Sequence, residues 1–123
     1  MAISQREVYD LPHAISQKTE EHHPFIVLSV LEANNNESTF VAVMVTGSDI
    51  TRDDYSFDLR NEMFITPLKK PNCHVRMFLI TLCLNEQIIG RKVNEMKEFY
   101  FKELMASIGD LIFNYDFKPK AKP

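Results

Sequence analysis

The chain has 123 residues, 45% of them apolar, and its 14 basic and 17 acidic side chains give a net charge of −3. This length suits a single domain, 1–123, whose core needs no metal or disulfide. The charge balance disfavours a broad phosphate-binding surface but leaves room for a local basic groove. No apolar run reaches the roughly 20 residues of a membrane span. Arg6 and Glu7 stand where a signal peptide would be apolar, so we expect a cytoplasmic protein with no membrane contact.

The first third of the chain predicts a loose start, a short strand, a loop and a hairpin. Residues 8–11 form the strand, Pro12 ends it, and the polar residues 13–23 form the loop. The apolar run 25–31 and the valine-rich run 40–46 predict two strands. The asparagines at 34–36 predict a turn between these strands, which we therefore expect to pair as a hairpin.

Four further segments of the chain have strand character. Residues 55–59 alternate apolar and polar side chains, as in a half-buried strand, and 64–66 can add a short one. Residues 74–84 (HVRMFLITLCL) form the longest strand-like run, with Arg76 as its one charge. Residues 88–93 predict a last short strand that contains Gly90.

From Asn94 onward the apolar period changes to that of a helix. Met96, Tyr100, Leu104 and Ile108 recur at helical spacing, and Asn94 is a suitable N-cap. Many short strands followed by one amphipathic helix predict an α+β, mainly β, domain built around a small barrel. We expect order over about 8–117 and a disordered tail at 118–123.

Motifs for metal, cofactor or nucleophilic chemistry are absent from the sequence. Cys73 and Cys83 show no CxxC or zinc spacing, and we expect both thiols to be reduced and structural. The chain contains no glycine-rich phosphate loop and no nucleophile elbow. We therefore expect neither a metal nor a cofactor.

The order of several short segments resembles the PemK/MazF-like toxins of bacterial type II toxin–antitoxin systems. The segments are residues 21–29 (EHHPFIVLS), a valine-rich strand that ends in Thr46, the YSFDL strand at 55–59, the HVRM strand, Gly90 before a short strand, and a closing helix. The resemblance runs from about residue 8 to residue 112. It implies an SH3-like (PemK-like) barrel with a C-terminal helix, a homodimer, an antitoxin partner, and cleavage of single-stranded RNA without a metal.

The same resemblance assigns catalytic roles to two positions, and the chain matches one of them. Thr46 matches the threonine that ends the valine-rich strand. His23 stands where the family has an arginine before the proline, and His22 matches a position that is often His or Lys. Histidine can transfer protons near neutral pH, but it grips phosphate less well than arginine does. The substitution therefore either retunes the chemistry or abolishes it.

Five further residues are candidates for RNA contact, each with a purely structural alternative. His22 can contact RNA or lie in a solvated loop, and Ser48 can bind a ligand or form a turn. Lys69 and Lys70 can line a groove or be solvated. Arg76 can replace the charge missing at His23, or it can be an edge-strand charge that prevents aggregation.

Two other functions remain open at this stage. The first is a barrel that keeps the fold without the chemistry and acts as an interaction or regulatory protein. The second is a toxin that binds a protein target such as a topoisomerase, which related barrels contact through the C-terminal helix.

Overall fold

A computed structural model describes residues 2–12 and 21–114, which form one antiparallel sheet and two α-helices. The strands are β1 (Glu7–Pro12), β2 (His22–Val27), β3 (Thr39–Thr46), β4 (Ser56–Asp58), β5 (His74–Leu84) and β6 (Ile89–Glu95), and the helices are α1 (Leu31–Glu37) and α2 (Glu98–Leu111). The domain is mainly β with a closing helix, as the sequence predicts. The predicted tail at 118–123 lies outside the described residues.

The sheet curls into a barrel-like shape although its ladders do not form a closed ring. The strand order is β4-β5-β3-β2-β1-β6, which leaves β4 and β6 at the two ends. The segment after β4 reaches across this gap: Phe64 forms a bridge with Met96, and the Ile65 N–H donates to the Glu95 carbonyl at 3.0 Å. The gap between β4 and β6 is therefore closed by residues 64 and 65, which form no regular strand although the sequence predicts a short one at 64–66.

The alternation of side chains gives the sheet two different faces. One face packs against α2 and includes Ile26, Val43 and Val75, which are fully buried. The opposite face carries a second apolar cluster that includes Phe25 and Phe40. Paired residues on neighbouring strands share a face, so the strand registers decide on which side each polar candidate lies.

The C-terminal helix begins later than the sequence predicts. Asn94 lies in β6 and does not cap the helix; its side chain donates to the Thr66 carbonyl at 2.8 Å and accepts from the Thr66 N–H at 3.0 Å. The predicted apolar stripe is confirmed at Leu104 and Ile108, which are buried against the sheet with Phe101, and Tyr100 is half-buried. Met96 is buried too, but it lies before the helix begins, where it pairs with Phe64. No helix of the described segments is long and apolar enough to cross a membrane.

Two predictions for the first third of the chain are wrong. The asparagine run lies in the helix α1, because Asn34 points inward and bonds backbone carbonyls instead of forming a turn. His22 and His23 are not in a loop: they begin β2, where they pair with Pro12 and Leu11 of β1. The rest of that predicted loop, residues 13–20, lies outside the described residues. The packed core also begins before residue 8, because Ile3 is buried.

Candidate functional site

Thr46 lies at the end of β3, where its side chain is almost covered. Only 6% of the residue is exposed, and its partner across the ladder is His74, the first residue of β5. Its hydroxyl oxygen accepts a hydrogen bond from the Ser48 N–H at 3.3 Å. Strand alternation puts Thr46 on the same face as Met44, which is the face away from α2.

His23 lies on the same face of the sheet, in the neighbouring strand β2. The β2–β3 ladder ends at the pair Phe25–Met44. If this antiparallel register is continued by two residues in each strand, His23 lies opposite Thr46. His23 is half-buried, whereas His22 is exposed and points to the other side. Of the two histidines, His23 is therefore the one that shares a face with Thr46.

His74 is a site residue to which the sequence gives no role. It is completely buried, and its Nε2 lies 3.0 Å from the Thr51 hydroxyl oxygen. In one tautomer Nε2 accepts from the Thr51 hydroxyl. In the other, the Thr51 hydroxyl proton is directed to the Ser48 carbonyl at 2.9 Å and the imidazole donates through Nε2–H. No group in the described segments bonds to Nδ1.

The environment of His74 keeps the ring neutral. Burial lowers the pKa of His74, and the positive charges of Arg52 and Arg76 lower it further, against the smaller opposing effects of Asp49 and Asp53. A neutral imidazole can make the Thr51 contact in either tautomer. His74 is thus a buried, uncharged side chain beside the end of β3.

The turn after Thr46 is tied to the rest of the fold by Arg52. Its guanidinium forms an ion pair with Asp58, approaches Asp49 at 3.6 Å and donates to the Asn72 carbonyl at 2.8 Å. These contacts join the β3–β4 connection to the loop before β5. Ser48 lies in this turn with its side chain exposed, and its backbone makes the contacts to Thr46 and Thr51.

Arg76 lies two residues after His74 in β5, opposite Ser56 of β4. It is half-buried and lines a pocket of about 200 Å³ together with Thr51, Asp53, Tyr55, Phe78 and Leu79. Within residues 2–12 and 21–114 no carboxylate lies within ion-pair distance of its guanidinium. Its positive charge is therefore available to a ligand in this pocket.

The two candidate lysines lie apart from this pocket. Lys69 and Lys70 are exposed in the loop that leads into β5. The backbone of that loop is fixed by a contact of the Cys73 thiol with the Lys70 carbonyl at 3.3 Å, and burial raises the pKa of Cys73. The lysines can contact a long ligand that extends from the site, but they do not line the pocket.

One end of the sheet thus combines a hydroxyl, an imidazole and a guanidinium on the face away from α2. Such a set can hold a phosphate group and move a proton beside it. In the part of the chain that the structure describes, no three His, Cys, Asp or Glu side chains are placed to hold a metal ion. The hydroxyl, imidazole and guanidinium groups at this end can supply acid–base and electrostatic chemistry.

Comparison with solved structures identifies the fold as MazF-like. MazF from Deinococcus radiodurans superposes with a TM-score of 0.68 at 14% identity, covering 92% of this chain and 98% of that one. An endoribonuclease from a mycobacterial species gives 0.66 at 14% identity, covering 89% and 90%. A mycobacterial endoribonuclease in complex with its cognate antitoxin gives 0.64 at 15% identity, covering 89% and 91%. No protein-family model and no curated protein matches the chain.

Proposed function

We propose that this protein is the toxin of a toxin–antitoxin pair, an endoribonuclease that cuts single-stranded RNA without a metal ion. The observation that carries the proposal is the fold, which superposes over nearly the full length of MazF from Deinococcus radiodurans. Thr46 and His23 support it, because the strand registers direct both to one row on one face. The charge of Arg76 near the same end supplies the third element.

The proposed reaction uses the RNA 2′-hydroxyl as the nucleophile. His23 takes the proton of this hydroxyl as its oxygen attacks the adjacent phosphorus, and the bond from phosphorus to the 5′-oxygen breaks. The leaving 5′-oxygen takes a proton from a solvent water, and His23 gives its proton back to solvent, so the products are a 2′,3′-cyclic phosphate and a 5′-hydroxyl. The hydroxyl of Thr46 donates to a non-bridging phosphate oxygen, and Arg76 stabilises the negative charge that develops there.

Arg76 compensates in this scheme for the arginine that His23 replaces. Guanidinium is charged at every working pH and binds phosphate oxygens in pairs, which an imidazole cannot do. His23 supplies proton transfer, and Arg76 supplies the permanent charge from β5. The two roles are thereby divided between two strands of the same sheet.

Access to Thr46 requires the turn that follows it to move. The Ser48 N–H bonds the Thr46 hydroxyl, and Thr51 bonds His74 beside it, so the turn folds back over the end of β3. We assign to residues 47 and 48, at the start of this turn, the role of a cover that RNA displaces, while Thr51 and Arg52 keep their contacts to His74 and Asp58. The exposed side chains of His22, Ser48, Lys69 and Lys70 then contact the RNA backbone on either side.

The proposal extends to partners and location. Solved structures of the same fold include a mycobacterial endoribonuclease in complex with its cognate antitoxin and a MazE–MazF complex from Deinococcus radiodurans. A homodimer bound by an antitoxin protein is the corresponding expectation for this chain. The protein would act in the cytoplasm, where its RNA substrate is.

Product analysis tests the proposed chemistry. Purified protein is incubated with a single-stranded RNA in the presence of a chelator, and the ends of the fragments are identified. We expect 2′,3′-cyclic phosphate and 5′-hydroxyl ends, and no cut where the attacking 2′-hydroxyl is replaced by hydrogen. Cleavage that survives this replacement, or that requires a divalent metal, would refute the mechanism.

A barrel without catalysis is the second candidate, and the histidine at position 23 favours it. A protein that folds, binds a partner protein and never cuts RNA would fulfil this function. Restoring the arginine separates the two candidates: if His23→Arg gains cleavage that the wild type lacks, the natural chain is the non-catalytic form. Cleavage by the wild type excludes it.

A further inference from the structure

Two aromatic rings are exposed beside Arg76 on the outside of the sheet. Phe78 of β5 is 70% exposed and Tyr55, just before β4, is 43% exposed. Their ring centroids lie 6.0 Å apart at an interplanar angle of 77°, an edge-to-face pair. The edge of one ring is therefore fixed against the other, and most of the Phe78 surface stays open to solvent.

An irregularity in β5 explains why Phe78 faces outward. Between the pairs Val45–Val75 and Val43–Ile80, β3 advances by two residues while β5 advances by five. Extra residues of this kind bulge out of a ladder and re-aim side chains, and such bulges are frequent next to binding sites. Here the bulge contains both Arg76 and Phe78, whose Cα atoms are two residues and therefore at most about 7 Å apart.

The pocket beside the rings has a size and charge that suit part of a nucleotide, such as one phosphate group. Its volume of about 200 Å³ is below the range of about 300–1,000 Å³ typical of sites for drug-sized ligands. Arg76 and Asp53 are the charged side chains among its lining residues. Asp53 is held by the Tyr55 N–H at 2.8 Å. One cation balanced by one anion favours one phosphate over a run of phosphates.

This pocket is continuous with the proposed catalytic end of the sheet. Thr51 forms part of its wall, and the same Thr51 hydroxyl contacts His74, the partner of Thr46 in the ladder. A strand of RNA with its reactive phosphate at Thr46 would therefore place a neighbouring nucleotide beside Arg76. Aromatic faces next to a basic side chain are the usual surface for unpaired bases.

We propose that Phe78, held by Tyr55, is a stacking platform for one base of the RNA, whose phosphate contacts Arg76. The assignment rests on the proposed function, which supplies single-stranded RNA as the ligand. The guanidinium beside the ring favours a nucleotide over an apolar segment of a protein. The test below distinguishes stacking of an RNA base on these rings from contact of another protein with them.

The test uses an RNA that the enzyme cannot cut. Single-stranded oligonucleotides with 2′-O-methyl groups throughout carry 2-aminopurine at successive positions, and stacking on an aromatic ring quenches its fluorescence. Phe78→Ala is expected to weaken binding about tenfold and to abolish the quench at one position, whereas Phe78→Trp keeps both. Phe78 is exposed, so neither variant is expected to unfold, and thermal melting verifies this.

The chain contains a matched control in the helix α2. Phe99 is 68% exposed and forms an edge-to-face pair with Tyr100 at 5.1 Å, with Arg60 near that tyrosine ring. Phe99 does not line the pocket described above. Phe99→Ala should therefore bind the oligonucleotides within about twofold of the wild type. Equal effects of Phe78→Ala and Phe99→Ala would overturn the platform.

Parallel cleavage of unmodified RNA keeps this proposal separate from the proposed function. If the wild type cleaves RNA and Phe78→Ala binds it normally, the platform is refuted and the ribonuclease stands. If the wild type never cleaves but shows a Phe78-dependent quench, the ribonuclease is refuted and the platform stands. If Phe78→Ala changes self-association in size-exclusion chromatography and leaves RNA binding intact, the ring is a protein contact and the platform is wrong.

Discussion

Replacing Asn34 with alanine should destabilise the fold, although a run of three asparagines in a sequence is typical of an exposed turn. Its side-chain amide donates to the Ile3 carbonyl at 2.6 Å and to the Ser29 carbonyl at 3.1 Å. Its side-chain oxygen accepts from the Ser29 hydroxyl at 2.5 Å. Asn34 is 3% exposed, so water cannot take over these bonds. The residue joins α1 to the chain start and to the end of β2.

The expected loss follows from the groups left without a partner. The Ile3 carbonyl loses its donor at a cost of about 1–3 kcal/mol, and the half-buried Ser29 carbonyl loses a bond worth about 0.5–1.5 kcal/mol. Alanine returns roughly 0.5 kcal/mol of helix propensity. The free energy of unfolding should fall by about 1–4 kcal/mol. The middle of this range corresponds to a drop in Tm of about 10 °C.

Urea unfolding followed by circular dichroism measures this difference. The control is Asn35→Ala in the same helix, because Asn35 is exposed and should change stability by no more than about 0.5 kcal/mol. Asn34→Asp should cost at least as much as alanine, since a carboxylate cannot donate to either carbonyl. Equal stabilities of the Asn34→Ala and Asn35→Ala proteins would refute the reasoning.

Two further predictions concern charge. Burial, Arg52 and Arg76 lower the pKa of His74 in the folded state, so the unfolded chain takes up this proton more readily, and stability should fall as the pH drops below about 6.5. His74→Gln should lack that part of the decline in urea titrations at several pH values; an unchanged pH profile would contradict it. Lys69→Glu and Lys70→Glu should weaken RNA binding equally for all sequences and reduce its salt dependence; a sequence-selective loss would argue against backbone contacts.

Two of the three long apolar runs could be predicted as strands over their full length. The third, 25–31, could not, because β2 ends at Val27 and Leu31 begins α1. The bounds of β5 agree with the prediction, and β3 begins one residue earlier than predicted, because uninterrupted β-branched and apolar residues have few alternatives to a buried strand. The helix α1 could not be predicted in this way. It has seven residues with three consecutive asparagines, and the tertiary bonds of Asn34 hold it in place.

Part of the candidate site could also be predicted from the sequence. Alternation along a strand predicts that one of His22 and His23 can share a face with Thr46, and the register selects His23. His74 gave no signal, because its partner Thr51 is 23 residues away in the chain. The outward position of Phe78 depends on a bulge in β5. The bulge could not be predicted, because the apolar run in the sequence continues through it without a break.

The proposed ribonuclease activity is tested most directly by RNA cleavage without divalent metal, from about pH 5 to about pH 9, with four variants alongside the wild type. We expect the wild type to cut, His23→Ala and Thr46→Ala to be inactive, and His22→Ala and Thr46→Ser to keep much of the activity. The rate should follow one ionisation across this range, as proton transfer by a single histidine requires. A folded wild type that cuts no RNA across this range would contradict the account.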